Sequence, residues 1–203
     1  MVETLKVRHR IIESNELEIS GFSKNPPNRC YYCKKELFRE LLDVAQIEAI
    51  PFVIEGSTLD DEKDHRPGRV AIRELGIRSP LQDALLTKED VRELSKALGL
   101  STWDKPSFAC LASRFPYGEE ITPEGLKRVD EAEEFLFKLG FKQVRVRHYQ
   151  DLARIEILKE EMERLMDPEL RETVVRHLKK IGYTYVTLDL QGFRSGSMNE
   201  VLR

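Results

Sequence analysis

The sequence predicts an α/β protein in two parts: an open parallel-sheet domain over residues 1–112 and a small α+β domain over residues 113–203. Strand-like apolar runs that alternate with helical patterns indicate the first part, because parallel strands need helical crossovers between them. The order helix, strand, strand, helix, strand indicates the second. The loop-rich stretch "SRFPYGEEITPEG" separates them.

In chain order, "LKVRHRIIE" predicts a short first strand, and "GFSKNPPN" a loop broken by Pro26 and Pro27. Residues 29–45 predict a helix, since Leu37, Leu41, Val44 and Ala45 recur at helical spacing and Asn28 can cap it. "PFVIEGS" predicts a buried parallel-type strand, and "TLDDEKDHRPG" a polar loop. A short helix over residues 70–75 closes at Gly76. "TKEDVRELSKALGL" predicts a helix with Thr87 as cap, acidic residues in its first turn and Gly99 at its end. Beyond the boundary, residues 126–139 are helical, with Val129, Ala132, Leu136 and Leu139 on one face and Gly140 as the stop. "KQVRVRHYQ" and "LARIEIL" alternate at period two, and Gln150-Asp151 between them suits a hairpin turn. Residues 160–181 predict a helix broken near Pro168, followed by a last strand, "YTYVTLDL", and a tail.

The bulk numbers exclude some classes of function. The chain has 203 residues and a net charge of −3, with 34% charged residues. A general binder of nucleic acid or of anionic membrane would be more basic, so any anion site is local. No apolar run reaches the ~18 residues of a membrane span, and "MVETLKVRHR" lacks the apolar core of a signal peptide. The expected location is the cytoplasm. Three cysteines do not make a disulfide framework.

Those cysteines are the main chemical signal. Cys30 and Cys33 lie three apart near a helix start, where free N–H groups and the dipole favour thiolate. Cys110 occurs far downstream, in "DKPSFACLASRFPYG". The fold predicts that all three meet at the carboxyl edge of the sheet, where ligands of such sheets bind. Four readings stand open: small buried hydrophobes, a redox dithiol, zinc with His65 as a fourth ligand, or an iron–sulfur cluster with one iron left open. Asp60 and Asp61, just past a strand end, suit a Mg²⁺ or nucleotide contact, or else a solvated loop. Arg145 and Arg147 point to one strand face and make a fork for phosphate or carboxylate. The bland alternative is an exposed face balanced by Glu131, Glu133 and Glu134.

"NPPNRCYYCKKELF", "GSTLDDEKDHRPG", "LGIRSPL", "LTKEDVRELSKALGLSTWDKPSFACLASRFPYG", "VRVRH", "ARIEI" and "LDLQGFRSGSMNEVL" together resemble LarE-type ATP-dependent sulfur transferases, which are PP-loop ATP pyrophosphatases. The resemblance runs from about Val7 to Leu202, with the motifs in the same order. It implies a PP-loop (adenine nucleotide alpha hydrolase-like) sheet domain and a C-terminal domain for substrate binding and oligomerisation. It implies adenylation of a carboxylate of pyridinium-3,5-biscarboxylic acid mononucleotide, then replacement by sulfur, on the way to the nickel-pincer nucleotide of lactate racemase. Cys110 matches the single cysteine that gives up its sulfur in some members. The set Cys30, Cys33 and Cys110 matches members that hold a [4Fe-4S] cluster. By the same resemblance Ser113, Arg114, Glu133, Arg145 and Arg147 bind substrate, Asp60 and Asp61 face ATP with Mg²⁺, and the protein is a homo-oligomer. The family's Ser-Gly-Gly-x-Asp-Ser loop has no counterpart here. The expectation is therefore a truncated domain with little adenylating activity alone and an exposed apolar sheet flank. A tRNA-thiolating enzyme and a non-catalytic substrate-binding homologue are the alternatives, and the acidic charge counts against the first.

Overall fold

The structure is a computed structural model describing residues 2–63, 67–105 and 109–202. The chain divides into two compact units, residues 1–22 with 27–107 and residues 23–26 with 108–203.

The first unit carries α1 (Val2–Leu5), α2 (Arg29–Ile47), α3 (Gly68–Glu74), α4 (Pro80–Asp83) and α5 (Lys88–Ala97). Its small core joins Phe38 of α2 to Ile72 of α3 and Ile77, flanked by Leu41, Leu42, Val53 and Leu75. Gly68 lets α3 approach α2 closely. A Cβ there would stand 2.9 Å from the Lys34 side chain and 3.2 Å from the Cys30 carbonyl. Asn28 sits at the N-cap of α2 without a side-chain capping bond. Thr87 caps α5 as expected, in a closed box: the Asp90 N–H donates to Thr87 Oγ1 (3.2 Å), and the Thr87 N–H donates to Asp90 Oδ2 (2.8 Å).

Two expected strands do not form here. Of the first, residues 5–13, Leu5 ends α1, and residues 7–13 have no regular structure. "PFVIEGS" is extended, but it makes a single parallel bridge, Ile54 with Arg78. Phe52 and Ile54 are each 61% exposed rather than buried. Among the described residues, the parallel sheet expected for this unit is reduced to that bridge. A strand persists when neighbours take up its ladder bonds and cover its apolar face, and one bridge does neither.

The second unit has its elements in the predicted order: α6 (Pro123–Lys138), β1 (Val144–Tyr149), β2 (Leu152–Ile157), α7 (Pro168–Lys180) and β3 (Tyr185–Leu188). β1 and β2 pair antiparallel across the Gln150-Asp151 turn, with Gln150 at φ 53°. α7 then crosses over and returns β3 parallel to β2, giving the sheet order β1-β2-β3. The predicted break at Pro168 is the start of α7. Asp167 caps this helix by accepting from the Leu170 N–H (2.8 Å), and residues 159–166 form a 3-10 helix instead of α-helix. Val144, Val146, Ala153, Ile155 and Ile157 from the sheet pack against Ala132, Leu136, Val174 and Leu178 from the helices. Each large aliphatic side chain buried this way stabilises by about 1.5–3 kcal/mol. Period two then puts Arg145, Arg147, Arg154 and Glu156 together on the opposite face, where the register sets Arg145 against Glu156 and Arg147 against Arg154.

No helix among the described residues is long and apolar enough to cross a membrane.

Candidate functional site

The charged face of the second unit is an organised network. Glu156 is fully buried and accepts from Arg147 Nε (3.0 Å) and Nη2 (2.7 Å), a fork-to-fork pair. It also accepts from Arg154 Nη2 (3.2 Å) and from the Ser197 hydroxyl (3.2 and 3.3 Å). Arg147 donates further, to the Ser113 carbonyl (2.9 Å) and to Ser197 Oγ (2.8 Å). Arg145 is buried beside them. It donates to the Val144 carbonyl (2.9 Å), and its guanidinium lies 5.3 Å from the centre of the Phe193 ring. Burial pushes its pKa down to about 10. The positive charges of Arg114 and Arg147 act the same way, and Glu133 and Glu156 oppose them. A buried cation with depressed basicity gains from a nearby anion.

Cys110 is an exposed free thiol at the N-cap of the short 3-10 helix Leu111–Arg114. Arg114, 1% exposed, makes a second fork-to-fork pair, with Glu133 on α6 (both contacts 2.7 Å). Its remaining terminal nitrogen donates to the carbonyls of Ala109 (3.0 Å) and Cys110 (3.1 Å) and to Ser113 Oγ (2.8 Å). Glu133 Oε1 also accepts from the Val146 N–H (2.8 Å), which ties helix, strand and cysteine loop together. The structure thus joins Ser113, Arg114, Glu133 and Arg147 in direct contact, with Arg145 in the same electrostatic cluster.

Cys30 and Cys33 belong to the first unit and Cys110 to the second. Cys30 is exposed, Cys33 is half-buried, and both lie in the first turns of α2, outside any disulfide. A cavity of about 510 Å³ opens beside Cys33, lined also by Tyr32, Lys35, Arg39 and Glu40. Among the described residues, no group of three or more His, Cys, Asp and Glu side chains is arranged around a metal position. The donor chemistry nonetheless fits iron, since cysteines outside disulfides can supply the thiolates that iron–sulfur clusters take. His65, the candidate fourth zinc ligand, lies outside the described residues.

Asp60 and Asp61 both have backbone partners. Asp60 Oδ2 accepts from the Lys88 N–H (2.7 Å) at the start of α5, and Asp61 Oδ2 from the Thr58 N–H (2.9 Å). Sequence reading missed Glu156 and Ser197. Glu156 was recoverable, because a turn at Gln150-Asp151 counts outward to Arg147 opposite Arg154 and Arg145 opposite Glu156. Ser197 reaches the site from 41 positions further along the chain, and no spacing rule signals it.

Comparison with known proteins places the sequence in a family. No protein-family model matches the chain. It is 45% identical over 196 residues to an uncharacterised protein of Synechocystis, covering 97% of this chain and 73% of that one. It is 43% identical over 186 residues to the pyridinium-3,5-bisthiocarboxylic acid mononucleotide synthase of Lactiplantibacillus plantarum, covering 88% of this chain. The chain belongs to the LarE-type sulfur-transferase family. A third family member, an uncharacterised protein of Methanocaldococcus jannaschii, is 34% identical over 179 residues, covering 88% of this chain and 69% of its own length. The chain spans 64% of the synthase's length.

Proposed function

We propose that this chain carries the sulfur-transfer half of a pyridinium mononucleotide thiolation. The substrate is pyridinium-3,5-biscarboxylic acid mononucleotide, and a carboxylate of it is exchanged for thiocarboxylate in making the nickel-pincer cofactor. Likeness to the Lactiplantibacillus synthase over 88% of the chain carries this reading.

A carboxylate resists attack by sulfur, because its leaving group would be oxide. ATP and Mg²⁺ convert it to an acyl adenylate with release of pyrophosphate, and a sulfur nucleophile then expels AMP. Asp60 and Asp61 are the carboxylates proposed to face the nucleotide and its Mg²⁺. Arg145 is the cation proposed to hold substrate phosphate or carboxylate, because it stays charged while buried and a bound anion would offset the cost of that burial. Cys110 is exposed to solvent and presents sulfur. Cys30, Cys33 and Cys110 would together hold a [4Fe-4S] cluster, which when bound supplies a labile sulfide. The working form is proposed to be a homo-oligomer acting on small molecules.

The test supplies the preformed acyl adenylate of the mononucleotide with sulfide anaerobically and reads thiocarboxylate, above the protein-free rate, by mass spectrometry. Product from the native sequence and its loss in Cys110→Ala are expected. Equal iron and acid-labile sulfide contents in the native protein and in Cys30→Ala, Cys33→Ala and Cys110→Ala would overturn the cluster assignment. Undiminished product from Cys110→Ala would overturn the role of that cysteine.

A further inference from the structure

We infer that Arg114 is a positioning residue for Cys110 and not a contact for substrate. It holds the backbone of residues 109–113 and so sets how the Cys110 sulfur is presented. The inference rests on Cys110 being the sulfur-bearing residue of the reading above.

A count of donors and acceptors carries the argument. A guanidinium has five N–H groups. Arg114 uses Nε and one Nη2 hydrogen on the two oxygens of Glu133. Its two Nη1 hydrogens are shared among three acceptors: the Ala109 carbonyl, the Cys110 carbonyl and Ser113 Oγ. One N–H remains on a side chain that is 1% exposed. Glu133 is equally committed, since Oε1 takes both Arg114 Nε and the Val146 N–H. The pair therefore presents no fork outward, and the three acceptors it meets all belong to the segment that carries Cys110.

Arg147 reinforces the same segment from the sheet side, through the Ser113 carbonyl at 2.9 Å. Two buried cations, each braced by its own glutamate, thus donate to the backbone or hydroxyl groups of residues 109, 110 and 113. These are charge-assisted bonds in a water-poor setting, the strong class. Lysine cannot replace this arrangement. Its single ammonium can serve Glu133 or the carbonyls, but it lacks the planar fork that reaches both at once.

The experiment follows iodoacetamide alkylation of the reduced, chelator-treated full chain. The Cys110 peptide is quantified by mass spectrometry against the Cys30 and Cys33 peptides. Arg114→Lys is expected to change the Cys110 rate by about threefold or more, as loss of one or two such bonds implies, and to leave the Cys30 and Cys33 rates as they were. Ser113→Ala removes one acceptor only and should shift the Cys110 rate in the same direction by a smaller factor. It decides the matter if Arg114→Lys does not fold. An unchanged Cys110 rate in folded Arg114→Lys, or in Ser113→Ala where the lysine variant does not fold, overturns the inference. Alkylation does not depend on turnover, so failure of the thiolation assay would leave this result standing by itself.

Discussion

Removing the Glu156 side chain isolates the central charge of the arginine face. Glu156 is 0% exposed and receives four groups of contacts, from Arg147 Nε and Nη2, Arg154 Nη2 and Ser197 Oγ. Glu156→Ala leaves the Arg147 guanidinium buried, with the Ser113 carbonyl and Ser197 Oγ as its remaining acceptors among the described residues. Breaking a buried pair on one side costs about 3–5 kcal/mol. Arg154 adds little to that figure, because its side chain is 31% exposed and keeps Asp189 at 3.6 Å. A domain of this size has about 5–15 kcal/mol in all, and a urea slope of about 1–3 kcal/mol per molar, centred near 2, turns the loss into a midpoint shift of roughly 2 M. The assay is urea unfolding followed by far-ultraviolet circular dichroism, with amide exchange in β1 and β2 to report on this unit. Fluorescence of Trp103, the sole tryptophan, reports on the other unit and should be nearly unmoved. The paired change Arg147→Met with Glu156→Leu removes both charges of the pair together, so it should recover much of the loss. A Glu156→Ala shift below about 0.5 M, or a paired variant less stable than the single one, would refute the reasoning.

Three further outcomes are expected. Burial, with the Arg128 charge second, lowers the His148 pKa below its ordinary 6.5. The unfolded chain therefore binds the proton first, and stability should fall as pH drops through about 6.5. Comparison of urea midpoints at neutral and mildly acid pH should show a smaller loss in His148→Asn. Gly125→Ala would put a Cβ 2.8 Å from the ring of Phe115, which is 1% exposed, and so overpack α6. A cost of about 1–3 kcal/mol should lower Tm by about 2 °C or more. Thr87→Ala opens the capping box of α5 and should cost about 1 kcal/mol, read as faster amide exchange in residues 88–91.

Legibility tracked the range of the interactions involved. The helix that starts after Asn28, the Thr87 cap and the Gly76 stop were readable because caps and periodicity act within a few residues. The hairpin was readable to the residue, and with it the shared face of Arg145 and Arg147. The strand expected at "PFVIEGS" was misread, since its composition suits a sheet interior while its one bridge among the described residues is to Arg78. The sequence grouped Ser113, Arg114, Glu133, Arg145 and Arg147, and the fold brings them together, but the partner that each one takes was not legible. Spacing proposes an arginine fork and leaves open that Arg114 and Arg147 turn theirs inward onto Glu133 and Glu156.

By itself, the amino-acid order determined the elements of the second unit, the hairpin register and the family, all of which rest on local periodicity or on motifs in series. Only the folded chain decided which carboxylate each arginine meets, that Ser197 closes the network, and that the Cys110 loop hangs from two buried cations. Those choices depend on desolvation and contact between residues up to 50 positions apart. Pairing energy inside a protein is set by distance and burial in space, and position along the chain constrains neither.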